Sequence, residues 1–384
     1  MRILIALPLV LMLLSGALAA DSRYDRALFD ELRSYLQQNR QTPEDYVIGR
    51  FTDHDIVFLG EMHRIKHDEE LVQRLIPRLH AEGIHVLATE FGRREDQPLI
   101  DRLLSAPEFD STLANRILFQ QFVHWGYREY RDIYRAAWRL NRSLAPDEKP
   151  FRILGVNCSP DWSIIKTEAD RDVDSLKRLV WGGCSEKDWA EVVLEAVRSG
   201  DRVLAHCGIH HGFTDYYQPI VNNGEFIRHD TTRFGNYVKQ ELGDRAMTIY
   251  LHALWTDRTG YGGEYIRPVG GIVDALMDSL GEEYYPVGFD IDGTPFERFV
   301  DSSAVYSQGY ENFTPAVFCD GYIFQTPFRE AEVVTLIDGF FNEDNLAEAR
   351  RGSPNPRYRD ASIEDFEKGA LRTLVWYYSL LRKY

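Results

Sequence analysis

Ile56-Val57-Phe58-Leu59-Gly60-Glu61-Met62-His63 is an apolar run that breaks, at a glycine, into a carboxylate and an imidazole. Four to six apolar residues bounded in this way fit a buried strand. Gly60 would let the chain turn tightly there, setting Glu61 and His63 on an exposed lip. The pattern recurs at His85-Val86-Leu87-Ala88-Thr89-Glu90 and at Val203-Leu204-Ala205-His206-Cys207-Gly208-Ile209-His210-His211-Gly212. Open α/β sheets build their sites at the carboxyl ends of parallel strands, so these segments predict one shared pocket.

Further strands are expected at residues 151–158, 202–208, 246–254, 284–291 and 321–325. Helical spacing appears at 22–39, after the Thr42-Pro43 cap, and at 68–82, 127–141, 185–199, 232–242, 271–280 and 362–382. Repeated strand and helix alternation implies an α/β fold, a mainly parallel sheet with helices on both faces. Residues 93–141 read as a helical insertion, 292–320 as an irregular aromatic excursion able to roof a pocket, and 330–384 as C-terminal helices. Without a Pro/Ser/Gly linker or an internal repeat, residues 21–384 are expected to form a single domain.

Arg2, the apolar stretch at 3–14 and the small residues Ser15-Gly16-Ala17-Leu18-Ala19-Ala20 predict a secretory signal peptide over residues 1–20. The apolar stretch is shorter than the roughly 20 residues a membrane span needs. An exported protein follows, periplasmic or secreted, with no stable membrane span once the signal is removed. Its 44% hydrophobic and 27% charged residues fit an ordinary globular chain. A net charge of -16 repels polyanions, which excludes nucleic acid as the main partner and leaves a small molecule or a peptide. Oligomeric state is not legible. Cys158, Cys184, Cys207 and Cys319 form no CxxC motif; bridges and buried thiols both stay open, because pairing cannot be read from spacing.

Polar groups at or just past the strand ends are Glu61, His63, Glu90, Asn157, His206, His210, His211, His252 and Asp290. A neutral imidazole whose tautomer is fixed by a carboxylate can activate water. Each group also has a plainer reading: Glu61 and His63 as a helix cap and a surface histidine, Glu90 as a salt-bridge partner of Arg93 or Arg94. The His206–His211 segment holds zinc-ligand residue types, but its spacing matches neither HExxH nor a paired-cysteine ribbon. His67, His80, His85, His124 and His229 read as structural or surface residues. No GxSxG, P-loop or GxGxxG follows a strand, so serine hydrolases, NTPases and dinucleotide oxidoreductases lose their signatures.

In Gly60-Glu61-Met62-His63, Glu90 and the later Gly208-x-x-His211, the chain resembles the superfamily joining erythromycin esterases, ChaN-like haem-binding proteins and the Tiki/TraB group. The likeness continues through Tyr130, Tyr134, Asn141, Leu154-Gly155-Val156-Asn157, Arg233-Phe234-Gly235-Asn236 and Asp320-Gly321-Tyr322-Ile323-Phe324. It implies an α/β fold with its Glu and His residues in one cleft. The esterase branch implies a hydrolase of an ester, lactone or amide that needs no cofactor. His63 would be the general base, Glu61 and Glu90 its carboxylate partners, and His211 a second acid/base or oxyanion stabiliser; the strand-end positions of His206, His210, His252 and Asn157 make these the supporting candidates. The Tiki branch implies a metal-dependent peptidase with a divalent metal on His63, Glu90 and His211. The ChaN branch implies haem or iron binding. Arg64 stands where the esterase pattern has a glycine, which weighs against macrolide hydrolysis.

Overall fold

The computed structural model describes residues 23–384, so the expected signal segment lies outside the described residues. Its strands are β1 (Ile56–Glu61), β2 (Val86–Arg93), β3 (Arg152–Asn157), β4 (Val203–Gly208), β5 (Gln218–Asn222), β6 (Glu225–Asp230), β7 (Ala246–Leu251), β8 (Trp255–Thr256), β9 (Tyr265–Ile266), β10 (Val287–Asp290) and β11 (Gly321–Phe324). Seven of them form one sheet in the order β10-β11-β7-β1-β4-β2-β3, while β5–β6 and β8–β9 are separate two-stranded ribbons. Within the large sheet every neighbouring pair is parallel except β10 with β11. The expected α/β class is the observed one.

β1 lies at the centre, buried along its whole length. Its alternate residues serve two different layers, as a period of two requires. Val57 and Leu59 join Leu75, Leu79 and Ile117 on one face; Ile56 and Phe58 join Trp189, Val193 and Phe234 on the other. Helices Lys66–Ala81, Gln97–Ser105, Ser111–Gln121 and Arg128–Ser143 cover the first face, and Glu186–Arg198 and Phe234–Leu242 the second. A strand covered on both sides reads as an unbroken apolar run, and the shortness of that run is what made β1 legible. Helices Arg26–Asn39 and Ile272–Leu280 pack an aromatic cluster against the β10–β11 end through Tyr250, Phe289 and Tyr322.

Asp290 departs from expectation. β10 runs antiparallel to β11, so its carboxyl end points away from the edge where the other strands finish. There the Asp290 carboxylate accepts hydrogen bonds from Tyr46 (2.8 Å) and Arg50 (2.7 Å). Residues 93–141 contain three helices, and the 292–320 excursion is built from the short turns Pro295–Arg298, Val305–Ser307 and Pro315–Phe318. Among the described residues no helix is long and apolar enough to cross a membrane.

Cys158 and Cys184 form a disulfide, and Cys207 and Cys319 are free and buried. The bridge closes the segment beyond β3 onto the start of helix Glu186–Arg198. Denatured, unreduced protein should therefore expose two thiols to a thiol reagent, and Cys158→Ala with Cys184→Ala should cost about 3 kcal/mol of unfolding free energy. Four reactive thiols would refute the pairing.

Candidate functional site

Because β1, β4 and β2 are adjacent and parallel, their carboxyl ends stand side by side. Glu61 closes β1, Glu90 lies near the end of β2, and Gly208 closes β4 ahead of the short helical turn Ile209–Gly212 that carries His210 and His211. Two glycines make room for this convergence. A Cβ on Gly208 would lie 2.7 Å from Cε1 of His63, and one on Gly60 would lie 2.4 Å from Cδ1 of Ile209. Gly60 thus sits inside the strand for close approach rather than for turning. Glu61 is buried, not on an exposed lip, and the turn comes at Arg64, whose φ is 75°. A side chain rarely adopts that conformation unaided. Here the Arg64 amide donates to the Tyr130 hydroxyl (3.0 Å), its Nε to Tyr127 (2.9 Å), and its guanidinium lies 4.4 Å from the Trp125 ring.

His63 Nδ1 lies 2.6 Å from Glu61 Oε1, so the N–H of that nitrogen donates to the carboxylate and the lone pair stays on Nε2. Nε2 faces Glu90 Oε1 at 3.5 Å. The Glu61 carboxylate also accepts from the Tyr130 hydroxyl, 3.0 and 2.9 Å from its two oxygens. Burial pushes the Glu61 pKa upward, but the His63 imidazole and the surrounding hydrogen bonds outweigh it and hold the group below the usual carboxylate range. Directly beneath, burial and the nearby Glu61 charge raise the buried Glu69 well above that range, leaving a neutral acid against an ionised one. His206 completes this underside, 3.6 Å from Glu69 Oε1 and fully buried, its pKa lowered to about 4 by desolvation.

Glu90 meets neither arginine of the plainer reading. Arg93 pairs with Asp96 (2.5 and 2.7 Å), and Arg94 with Glu95 and Asp188. Instead Glu90 Oε2 accepts the Gly208 N–H (3.1 Å) and faces His211 Nε2 at 3.7 Å. The other His211 nitrogen lies 3.0 Å from Glu186 Oε2. Burial opposes a charge on His211, but Glu186 and Glu90 together outweigh it and raise its pKa. Asn157 donates to the Glu90 carbonyl (3.1 Å) and accepts the Cys158 N–H (2.7 Å), bracing the strand end. His210 reaches the Tyr306 hydroxyl (2.8 Å), and burial lowers its pKa to about 3. His252 stands apart, held by the Tyr322 hydroxyl (2.7 Å) and stacked 4.3 Å from Phe328.

Glu61, His63, His210 and His211 open on a cleft of 270 Å³ whose walls include Tyr250, Tyr261, Tyr265, Tyr306 and Tyr377. A roomier hollow of 390 Å³ near Phe122, Trp162 and Arg351 contains none of the catalytic candidates. Of the three residues expected to hold a metal, His63 and His211 each turn Nε2 toward a different oxygen of Glu90, at 3.5 and 3.7 Å. Among the described residues, the potential ligand atoms that all lie within 4.8 Å of one another belong to Glu61, Glu69 and His206. Within that cluster Glu69 is the neutral acid, raised by burial and by the Glu61 charge. Glu69, Tyr130 and Glu186 carry parts of the site that the sequence motifs did not single out as functional. Glu186 in particular reads from sequence as an ordinary acid in the first turn of a helix.

Imidazoles paired with carboxylates, at the carboxyl edge of a mainly parallel sheet and beside an aromatic cleft, define an α/β protein equipped for acid–base chemistry or ligand binding. The family model described as haem-binding uptake, Tiki superfamily, ChaN matches residues 47–158, which include Glu61, His63, Glu69, Glu90 and Tyr130. The superfamily resemblance seen in the motifs is borne out over that stretch. No curated protein matches the chain. Among solved structures, a succinoglycan biosynthesis protein is 10% identical, with 82% of this chain and 100% of that one covered and a TM-score of 0.51. Its likeness is one of fold. An erythromycin esterase in its open conformation is 9% identical over 76% of this chain and 94% of its own, with a TM-score of 0.48. ChaN of Campylobacter jejuni, described with cofacially bound haem, is 14% identical over 58% of this chain and 91% of its own, with a TM-score of 0.37.

Two outcomes follow from this geometry. Gly208→Ala should cost about 1–3 kcal/mol and displace the His63 imidazole resonances, because the new methyl enters the space of the ring; unmoved resonances would mean the ring is seated elsewhere. The raised His211 pKa gives its pairing full stabilising effect below the ordinary imidazole value, lost as pH rises through the raised one. In denaturant titrations from about pH 6 to about pH 9, the stability gap between wild type and Glu186→Gln should therefore narrow. A gap that widens would reverse the assignment.

Proposed function

We propose that the protein is an exported hydrolase in which His63 activates water against an ester, lactone or amide bond of a small molecule or peptide. The observation that carries this reading is the state of His63: its Nδ1–H is engaged by an ionised Glu61 while its basic Nε2 faces Glu90 beside the cleft. Water bound near Nε2 and Glu90 passes a proton to His63 as its oxygen attacks the carbonyl carbon. Glu61 stabilises the resulting imidazolium. His211, whose pKa Glu186 and Glu90 raise against burial, supplies a proton to the oxyanion or the leaving group. Export is supported by the reading of residues 1–20 and by the Cys158–Cys184 disulfide, a bond of oxidising compartments.

Haem binding is the second reading, favoured by the description of the matched family. The cleft tyrosines are poor iron ligands as phenolates, since burial pushes Tyr261 up to about 12 and Tyr306 well above its ordinary value. His63 and His211, each with one ring nitrogen on a carboxylate, would be the residues to hold a haem, and haem would supply the redox or carrier chemistry. A haemin titration followed at the Soret band separates the two readings.

On any ester or amide the wild type cleaves, His63→Ala and Glu90→Gln should each lower kcat/KM by about 10²–10⁴-fold, with the circular dichroism spectrum retained. Tyr130→Phe should cost less, because Glu61 keeps its bond to His63. Undiminished turnover in the first two variants would dispose of the mechanism.

A further inference from the structure

Glu61, Glu69 and His206 come together from three elements. In neighbouring parallel strands, residues in register turn the same way, and His206 of β4 lies in register with Leu59 of β1. Glu61, two residues beyond Leu59, points to that same face. Helix Lys66–Ala81 covers this face, and its first turn sets Glu69 over both side chains. One ligand atom from each of the three residues lies within 4.8 Å of the other two.

Hydrogen bonding does not account for the group. Both ring nitrogens of His206 are buried without a hydrogen-bond partner among the described residues. That is a costly state for an imidazole. A proton on Glu69 can serve Glu61, but it leaves the ring unserved. His206 Nε2 stands 3.6 Å from Glu69 Oε1, too far for a hydrogen bond. Two ligands of one tetrahedral ion, on bonds of about 2.1 Å, stand about 3.4 Å apart. No cation of the protein takes this place either: among the described residues neither Glu61 nor Glu69 pairs with a lysine or an arginine.

We propose that Glu61, Glu69 and His206 bind a zinc ion. Two carboxylates and a neutral imidazole balance its charge, and nitrogen and oxygen donors are among its usual ligands. Magnesium and calcium are the poorer occupants, since they take six or more ligands, mostly oxygens, and would need several waters here. The Phe91 ring, 5.2 Å from that of His206, closes the place against them. In the metal-free chain Glu69 carries a proton, which the ion displaces into solvent. The site is a closed one, because Glu61 lines the cleft but Glu69 and His206 do not. The ion therefore has a structural part, fixing from beneath the carboxylate that orients His63. This set differs from His63, Glu90 and His211, and it stands whether the cleft hydrolyses its ligand or only binds it.

The test uses untagged protein from Asp21 onward, stripped with a chelator, reloaded with zinc sulfate and desalted. Elemental analysis should find one zinc per chain, and cobalt in its place should give the visible absorption of a four-coordinate ion. Glu69→Gln keeps the shape of the neutral acid, yet it should weaken zinc by more than about a hundredfold, as should His206→Gln. His211→Ala should still hold one zinc. Circular dichroism checks the fold of each variant. A wild type that retains no zinc overturns the proposal, and so does zinc that survives in Glu69→Gln and His206→Gln. Loss of zinc from His211→Ala would place the ion in the cleft and overturn it as well.

Discussion

The ionised carboxylate of Glu61 at the end of the central strand is the constraint around which the rest is arranged. A charge without solvent costs several kcal/mol unless it is matched by partners, and Glu61 is 1% exposed. Its compensation comes from three directions: the imidazole N–H of His63 above, the hydroxyl of Tyr130 from the flanking helix, and neutral Glu69 below. Each partner is drawn from a different element. Satisfying one oxygen pair therefore ties β1, helix Lys66–Ala81 and helix Arg128–Ser143 to a single point, and leaves His63 with one possible tautomer.

Glu90 plays the opposite part. It has only the Gly208 amide as a firm hydrogen-bond donor, and it faces two imidazoles at 3.5 and 3.7 Å, longer than direct hydrogen bonds. One carboxylate is held completely and the other is held loosely. That difference separates a group that orients from a group with lone pairs left for a reactant.

Much of this was legible in the residues. β1, β2 and β4 are apolar runs too short for helices, and their terminal Glu and His residues meet because parallel neighbours finish at the same edge. Three things were hidden. The direction of β10 carries no local signal, so Asp290 was grouped with residues it never approaches. His206 alternates inward from β4, and nothing in Ala205-His206-Cys207 tells which face will hold a carboxylic acid. Glu186 occupies the position where any helix welcomes an acid, so its part in charging His211 is masked by a commonplace. In each case the missing information was tertiary.

Arg64 links the two ends of the chain. It follows His63 directly, in a conformation it holds by resting among Trp125, Tyr127 and Tyr377. The last of these rings belongs to the final helix. During synthesis, then, the strand that carries the imidazole is made early, but the aromatic seat that fixes the residue after it is completed only when the last helix arrives. A chain interrupted before that helix would hold Glu61, His63, Glu90 and His211 and still lack one wall of the seat around Arg64.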